Sequence, residues 1–197
     1  MIAWSLDACL GCDAVAGVVV AVPGGHEHGL DGLERVVTVD GGSTRAESVA
    51  NALAAVRTKY VAIHDAARPL LTPELLTDLV AILAANPDAD AVIAAAPVTD
   101  TVKKVHAEFR VESTQDSTRV SETLDRSELW GAQTPQVFRT AELRAALDAH
   151  EAATDEAMLV EAAGGTVLLH DPGAPNLKVT TPLDLRVAEL LLADRAL

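Results

Sequence analysis

The sequence is poor in cations: 15 Lys and Arg stand against 29 Asp and Glu, a formal charge of −14 at pH 7. Such a balance opposes adhesion to polyphosphate or to an anionic membrane, so nucleic acid is not an expected partner. Long apolar runs are absent too. The longest, AVAGVVVAVP from Ala14 to Pro23, is about half of the roughly 18 residues a membrane helix requires, and it reads as a buried strand; no membrane partner is expected. Residues 1 to 10 lack the positive leading region and small-residue cleavage site of a secretory signal, which makes a reducing cytoplasm the expected compartment. Only two cysteines occur, Cys9 and Cys12, both expected as thiols. A chain of 197 residues forms one domain and buries a core without a disulfide or metal staple.

Two short motifs invite chemistry and are better read as structure. Cys9 and Cys12 make a C-x-x-C, a redox signature in other settings. Here Ile2, Leu6 and Cys9 share one face of a helical pattern, which favours ordinary burial. GGHEHG at 24 to 29 offers His26 and His28. Two histidines without a third ligand nearby fall short of a metal site, and a solvated turn is the preferred reading.

Apolar, β-branched runs near 17–22, 36–39, 60–64 and 91–95 alternate with helix-period segments near 44–57, 73–85, 140–150, 155–163 and 182–194. That order predicts parallel strands joined by crossovers. Thr72-Pro73-Glu74 and Thr181-Pro182-Leu183-Asp184 put a capping hydroxyl before Pro at a helix start, and Thr154-Asp155-Glu156 puts acids in a first turn. Residues 102 to 123 break the rhythm. Phe109 and Val111 alternate with polar neighbours and Val120 follows a polar turn at Gln115 to Ser117, so the piece reads as an exposed two-stranded excursion. A hairpin of this kind is marginal alone; it is expected to lean on a second subunit, with a surface loop as the alternative.

Polar residues gather at the element boundaries. Gly41-Gly42-Ser43-Thr44-Arg45, with Ser48 one turn on, leads from a strand into a helix, where amides and hydroxyls could face a nucleotide. The run VAIHDAARPLL ends a buried strand in His64, Asp65 and Arg68, at the carboxyl end of a strand where open α/β sheets bind ligands. An Asp there can hold Mg²⁺ through oxygen while an Arg grips phosphate. Asp100 to Lys103, Asp125-Arg126, Thr134 and Asn176 to Thr180 add hydroxyls and cations, the composition of a phosphate clamp.

In order, GGSTRAESVANAL, VAIHDAARPLL, APVTDTVK, TLDRSELWGAQTPQVF, TDEAMLVEAAGG and NLKVTTPLDLRVAELLL strongly resemble the 2-C-methyl-D-erythritol 4-phosphate cytidylyltransferase family, over almost the whole chain. The resemblance implies a Rossmann-like, doubly wound, mostly parallel α/β sheet of nucleotidyltransferase type with a protruding β-arm at about 99–124. It implies cytidylyl transfer from CTP to methylerythritol phosphate with Mg²⁺ as cofactor. By the family pattern Gly41, Gly42, Ser43 and Ser48 lie around the cytidine, with Ser43 where many members carry Asp; Asp65 serves the metal and Ala66 the ribose region. Arg68, Thr101, Arg126, Thr154 and Lys178 match positions that hold the sugar phosphate or the triphosphate, Thr101 and Arg126 from the partner subunit's arm. A homodimer follows.

The family also carries, ahead of the segment matching Met1, a first strand and a Gly-rich loop with an Arg and a Lys. The helical spacing of Ile2, Leu6, Cys9 and Leu10 begins at once, so the expectation is a functional protein that begins upstream. Donors aimed at transition-state charge are typically worth about a hundredfold or more each, and no catalytic residue is named within the chain itself. Two other readings stay open at this stage, a noncatalytic pseudoenzyme and a ribitol-5-phosphate cytidylyltransferase.

Overall fold

The computed structural model describes residues 1–25, 29–105, 118–149 and 155–195. Its central feature is a four-stranded sheet in the order β3 (Tyr60–Ile63), β7 (Trp130–Arg139), β4 (Ala91–Pro97), β8 (Val167–His170). β3, β4 and β8 run one way, and β7 is antiparallel to both of its neighbours. A second, two-stranded parallel sheet joins β1 (Val18–Val22) to β2 (Val36–Asp40), and a third pairs β5 (Lys103–Val105) with β6 (Val120–Thr123) antiparallel.

Side-chain alternation along the strands produces the layers. Val92 and Ala94 of β4, with Val137 of β7, enter a core with Leu75, Leu76, Leu79 and Leu83 of α3 (Pro73–Ala85) and Ala8 of α1 (Ile2–Leu10). Ala91, Ile93 and Phe138 point the other way. They meet Leu53 of α2 (Arg45–Ala55), Leu143 and Ala146 of α4 (Thr140–Ala149), and Leu159 and Val160 of α5 (Glu156–Ala162). A sheet buried on both faces reads as continuous Val, Ile and Ala, as β4 does.

The start signals work as expected at α3, where Thr72 Oγ1 accepts from the Leu75 amide at 3.2 Å ahead of Pro73. At α6 (Pro182–Arg195) the Asp184 carboxylate accepts from the Thr180 and Thr181 amides at 2.9 and 2.8 Å. At α5 the cap is Asp155, whose Oδ1 accepts from the Met158 amide at 2.9 Å.

Two strands were not anticipated. β8 is a short apolar run, and β7 carries a proline that argues against a central strand. Pro135 is tolerated because it sits in a bulge: between the pairs Ile93–Gln136 and Ala95–Ala132, β4 advances two residues while β7 advances four.

The arm segment does form an antiparallel pair, exposed along both strands; Phe109, Val111 and Gln115 to Ser117 lie outside the described residues, as do His26 and His28. Cys12 is buried, Cys9 partly so, and both are free thiols. Burial, with Cys12 nearby, pushes the Cys9 thiol up to about 11, opposite to the activation a redox cysteine requires.

β1 pairs only with β2, and β3 only with β7, among the described residues. Their other edges face a cleft of about 1010 Å³ between the two sheets, lined by Val18 to Val20, by Tyr60 to Ile63 and by Leu6.

Candidate active site

The turn after β3 is fixed by one chain of hydrogen bonds. His64 Nε2 lies 3.0 Å from the Arg68 carbonyl oxygen; a carbonyl can only accept, so Nε2 carries the proton. Nδ1 is then an acceptor, and Thr134 Oγ1 donates to it at 3.2 Å while accepting from the Asp65 amide at 3.0 Å. Burial lowers the His64 pKa to about 4, which keeps the ring neutral and this pattern intact. The bulge in β7 is what brings Thr134 there.

A second loop docks on the first. The Val179 amide donates to the Ala67 carbonyl at 2.8 Å, and Arg68 Nη1 donates to the Asn176 carbonyl at 2.7 Å. Asn176, buried, donates through Nδ2 to Gln133 Oε1 at 3.0 Å and to the Thr134 carbonyl at 2.9 Å. These contacts carry Lys178 across to Asp65, Nζ to Oδ2 at 2.8 Å.

Asp65 therefore sits among cations. Arg45 Nε lies 3.3 Å from its Oδ1. Burial pulls the Asp65 carboxyl upward, but the hydrogen bond from Lys178 and the charge of Arg45 outweigh it and hold the group below its usual range. Arg45 in turn reaches Glu156 Oε1 at 2.6 Å. Arg68, its pKa lowered by burial, keeps a buried Nε with no hydrogen-bond partner among the described residues. Asp65, Arg68 and Lys178 line one cavity of about 240 Å³, with Thr134 and Asp155 in its wall. A guanidinium and an ammonium lining one cavity suit an anion.

The Gly41–Ser48 turn lies at the end of the larger cleft, where Ser48, Ala66, Arg45, Asp65 and Lys178 also line the wall. Its conformation is a variant of the capping box in which the carboxylate reaches one residue before the cap: Thr44 Oγ1 accepts from the Glu47 amide at 3.1 Å, and Glu47 Oε2 accepts from the Ser43 amide at 2.6 Å. Ser43 Oγ also donates to Glu47, at 2.7 Å. Gly41 donates to the Val22 carbonyl at 2.8 Å. Gly42 donates to Ser48 Oγ at 3.0 Å, and a Cβ on it would stand 2.1 Å from Glu47 Cβ, which leaves room only for glycine.

Of the residues expected at the site, Asp65, Arg68 and Lys178 meet in one cavity, and Ser48 and Ala66 border the adjoining cleft. Thr101 and Arg126 lie elsewhere in this chain, at the base of the arm; both are exposed, and Arg126 Nη1 donates to the Thr99 carbonyl at 2.6 Å. Thr154 lies outside the described residues. From the sequence, Glu156 is a first-turn acid of a helix. It is instead 3% exposed and paired with Arg45, which no local spacing could reveal across 111 residues. Gln133 and Gln136 were also missed.

For a divalent cation, Asp65 is a half-buried hard oxygen donor, and no group of three or more His, Cys, Asp or Glu among the described residues could hold a metal alone. This donor set fits Mg²⁺, which binds through one or two carboxylates together with substrate phosphates and water.

The model of the 2-C-methyl-D-erythritol 4-phosphate cytidylyltransferase family matches residues 1–194. The bifunctional enzyme IspD/IspF of Anaeromyxobacter dehalogenans is 49% identical over 191 residues, 92% of this chain and 47% of that protein. The 2-C-methyl-D-erythritol 4-phosphate cytidylyltransferase of Parasynechococcus marenigrum is 41% identical, covering 99% of this chain and 86% of that one. Among solved structures, a 4-diphosphocytidyl-2C-methyl-D-erythritol synthase superposes with a TM-score of 0.81 at 35% identity, over 97% of this chain and 89% of its own. The 2-C-methyl-D-erythritol 4-phosphate cytidylyltransferase of Thermus thermophilus gives 0.77 at 35% identity, over 95% and 86%. A family match across nearly the full length, on a fold that gathers Asp65, Arg68 and Lys178 into one anion-suited cavity, means that this chain belongs to the 2-C-methyl-D-erythritol 4-phosphate cytidylyltransferase family.

Proposed function

We propose that the protein transfers the cytidylyl group of CTP to 2-C-methyl-D-erythritol 4-phosphate, giving 4-diphosphocytidyl-2-C-methyl-D-erythritol and pyrophosphate in non-mevalonate isoprenoid synthesis. The observation that carries this reading is the convergence of Asp65, Arg68 and Lys178 on one cavity that adjoins the Gly41–Ser48 turn. A phosphate oxygen of the sugar attacks the α-phosphorus of CTP; the new P–O bond forms as the bond to the β-phosphate oxygen breaks. Lys178 supplies a point charge, and Arg68 a guanidinium in the wall of the same cavity. Gly41, Gly42, Ser43 and Ser48 receive the cytidine, Ser43 chiefly through the turn it stabilises with Glu47, and Ala66 borders the ribose. Thr154, outside the described residues, is assigned to the sugar phosphate or the triphosphate on the family pattern alone.

Asp65 would hold Mg²⁺, and the ion, when bound, supplies charge neutralisation on the triphosphate. His64 and Thr134 keep the Asp65 backbone in place. The fully exposed β5–β6 pair supports a homodimer in which the arm carries Thr101 and Arg126 toward the partner's cavity. The cytoplasm is the proposed compartment; no helix among the described residues is long and apolar enough to cross a membrane.

The test is pyrophosphate release by the protein purified from its own cells, given CTP with methylerythritol phosphate or ribitol 5-phosphate. Turnover with the former and little with the latter is expected. Preference for ribitol 5-phosphate, or no release with either, would overturn the assignment.

A further inference from the structure

Two glutamines of β7, Gln133 and Gln136, line the cavity of about 240 Å³, and a partner fixes the sense of each amide. Asn176 Nδ2 donates to the Thr134 carbonyl at 2.9 Å; a carbonyl can only accept, so the atom of Asn176 on that side is its nitrogen. The same nitrogen donates to Gln133 at 3.0 Å, which makes the near atom of Gln133 its oxygen. Asn176 is not part of the cavity wall, so the end of Gln133 left for the cavity is Nε2. Gln133 is only half-buried, and this nitrogen has no hydrogen-bond partner among the described residues. Gln136 is held the opposite way. The Asp155 carboxylate can only accept, so Gln136 Nε2 faces it, at 3.4 Å, and Gln136 Oε1 is left without a partner among the described residues.

The wall therefore carries two kinds of chemistry. Arg45, Arg68 and Lys178 bring positive charge, which suits phosphate. Gln133, Thr134 and Gln136 are neutral, and the Asp155 carboxylate stands with them. An ionised phosphate oxygen only accepts and would be repelled by that carboxylate, whereas a hydroxyl both donates and accepts. We propose that Gln133 is a specificity-determining residue: its Nε2 donates to a hydroxyl oxygen of the phosphorylated polyol, and so reads the polyol rather than the phosphate. The inference rests on the reading of this cavity as the site of methylerythritol phosphate. The bond from Asn176 is what gives Gln133 selectivity. A free amide could turn over and offer either atom; held by its oxygen, Gln133 offers only a donor.

Methylerythritol phosphate and n-butyl phosphate, a phosphate ester without hydroxyls, titrated into ¹⁵N-labelled protein test this without catalysis. In wild type the Gln133 side-chain N–H pair should shift with methylerythritol phosphate and stay in place with butyl phosphate, while the Lys178 amide, on the cationic side, shifts with both. Gln133→Met, which keeps the length and removes the donor, should weaken methylerythritol phosphate by about fivefold or more, the worth of one neutral hydrogen bond, and change butyl phosphate by less than about twofold. A purely structural role would weaken both alike, because the loop that Asn176 anchors also carries Lys178. Equal losses for the two ligands, an unchanged affinity for methylerythritol phosphate in Gln133→Met, or a Gln133 N–H pair that ignores methylerythritol phosphate would overturn the inference. The wild-type shift needs no variant and decides the matter if Gln133→Met loses its dispersed spectrum. Wild type that binds methylerythritol phosphate no better than butyl phosphate would overturn the polyol reading of the cavity, and this inference with it.

Discussion

His64 should make stability depend on pH between about 4 and 6.5, and the size of the effect follows from its surroundings. In an unfolded chain the ring takes up a proton near 6.5; in the fold its pKa falls to about 4. Burial is the main cause. The Arg68 carbonyl and the Asp65 charge pull the other way, and Arg68 adds to the depression. Between the two values the unfolded chain binds more protons than the folded one, so stability is complete above about 6.5 and is lost as the pH falls toward 4. A gap of 2.5 units corresponds to about 3 kcal/mol in all, of which about 2 kcal/mol falls between pH 7 and pH 5.

The assay is urea unfolding of metal-free protein at pH 7 and pH 5, for wild type and for His64→Gln. An amide can donate to the Arg68 carbonyl and accept from Thr134, but it does not titrate. Asp65, held below the usual carboxylate range, stays ionised throughout, and contributions from other groups cancel in the difference. Wild type should lose about 2 kcal/mol more than the variant over those two pH units. A difference under about 0.5 kcal/mol, or a ring resonance titrating near 6.5, would refute the account.

Three further outcomes follow from the geometry. Gly42→Ala should displace Glu47 from the first turn of α2, costing about 1–2 kcal/mol in chemical unfolding and weakening CTP binding; Gly131→Ala, whose nearest neighbour is 3.8 Å away, should change neither. Lys178→Ala and Arg126→Ala should each raise the KM for methylerythritol phosphate by the equivalent of about 1.5–3 kcal/mol, with unchanged kinetics in both removing them from the site. Cys9 and Cys12 should resist a disulfide reagent at pH 8 in the folded protein and react once urea is added, since the Cys9 thiol lies near 11 and Cys12 is buried; rapid modification without denaturant would contradict that burial.

How much of this was legible in the sequence depended on the range of the interaction. Helix starts are local, and Thr72-Pro73 announced α3 by its own chemistry. The end of β3 was legible because three polar residues closing an apolar run demand a reason. β7 was not, because a proline argues against a central strand, whereas the bulge opposite Ala94 removes the need for its N–H and turns the interruption into the means of presenting Thr134 to His64. Glu156 was hidden for a stronger reason. A carboxylate in a first turn has an adequate local explanation, and only the approach of α2 to α5 turns that acid into the buried anchor of Arg45. The same reasoning applies to the site as a whole: each residue type could be listed from its motif, but that Arg45 joins Asp65 to a buried Glu156 depends on a pairing that spans 111 positions and exists only in the folded chain.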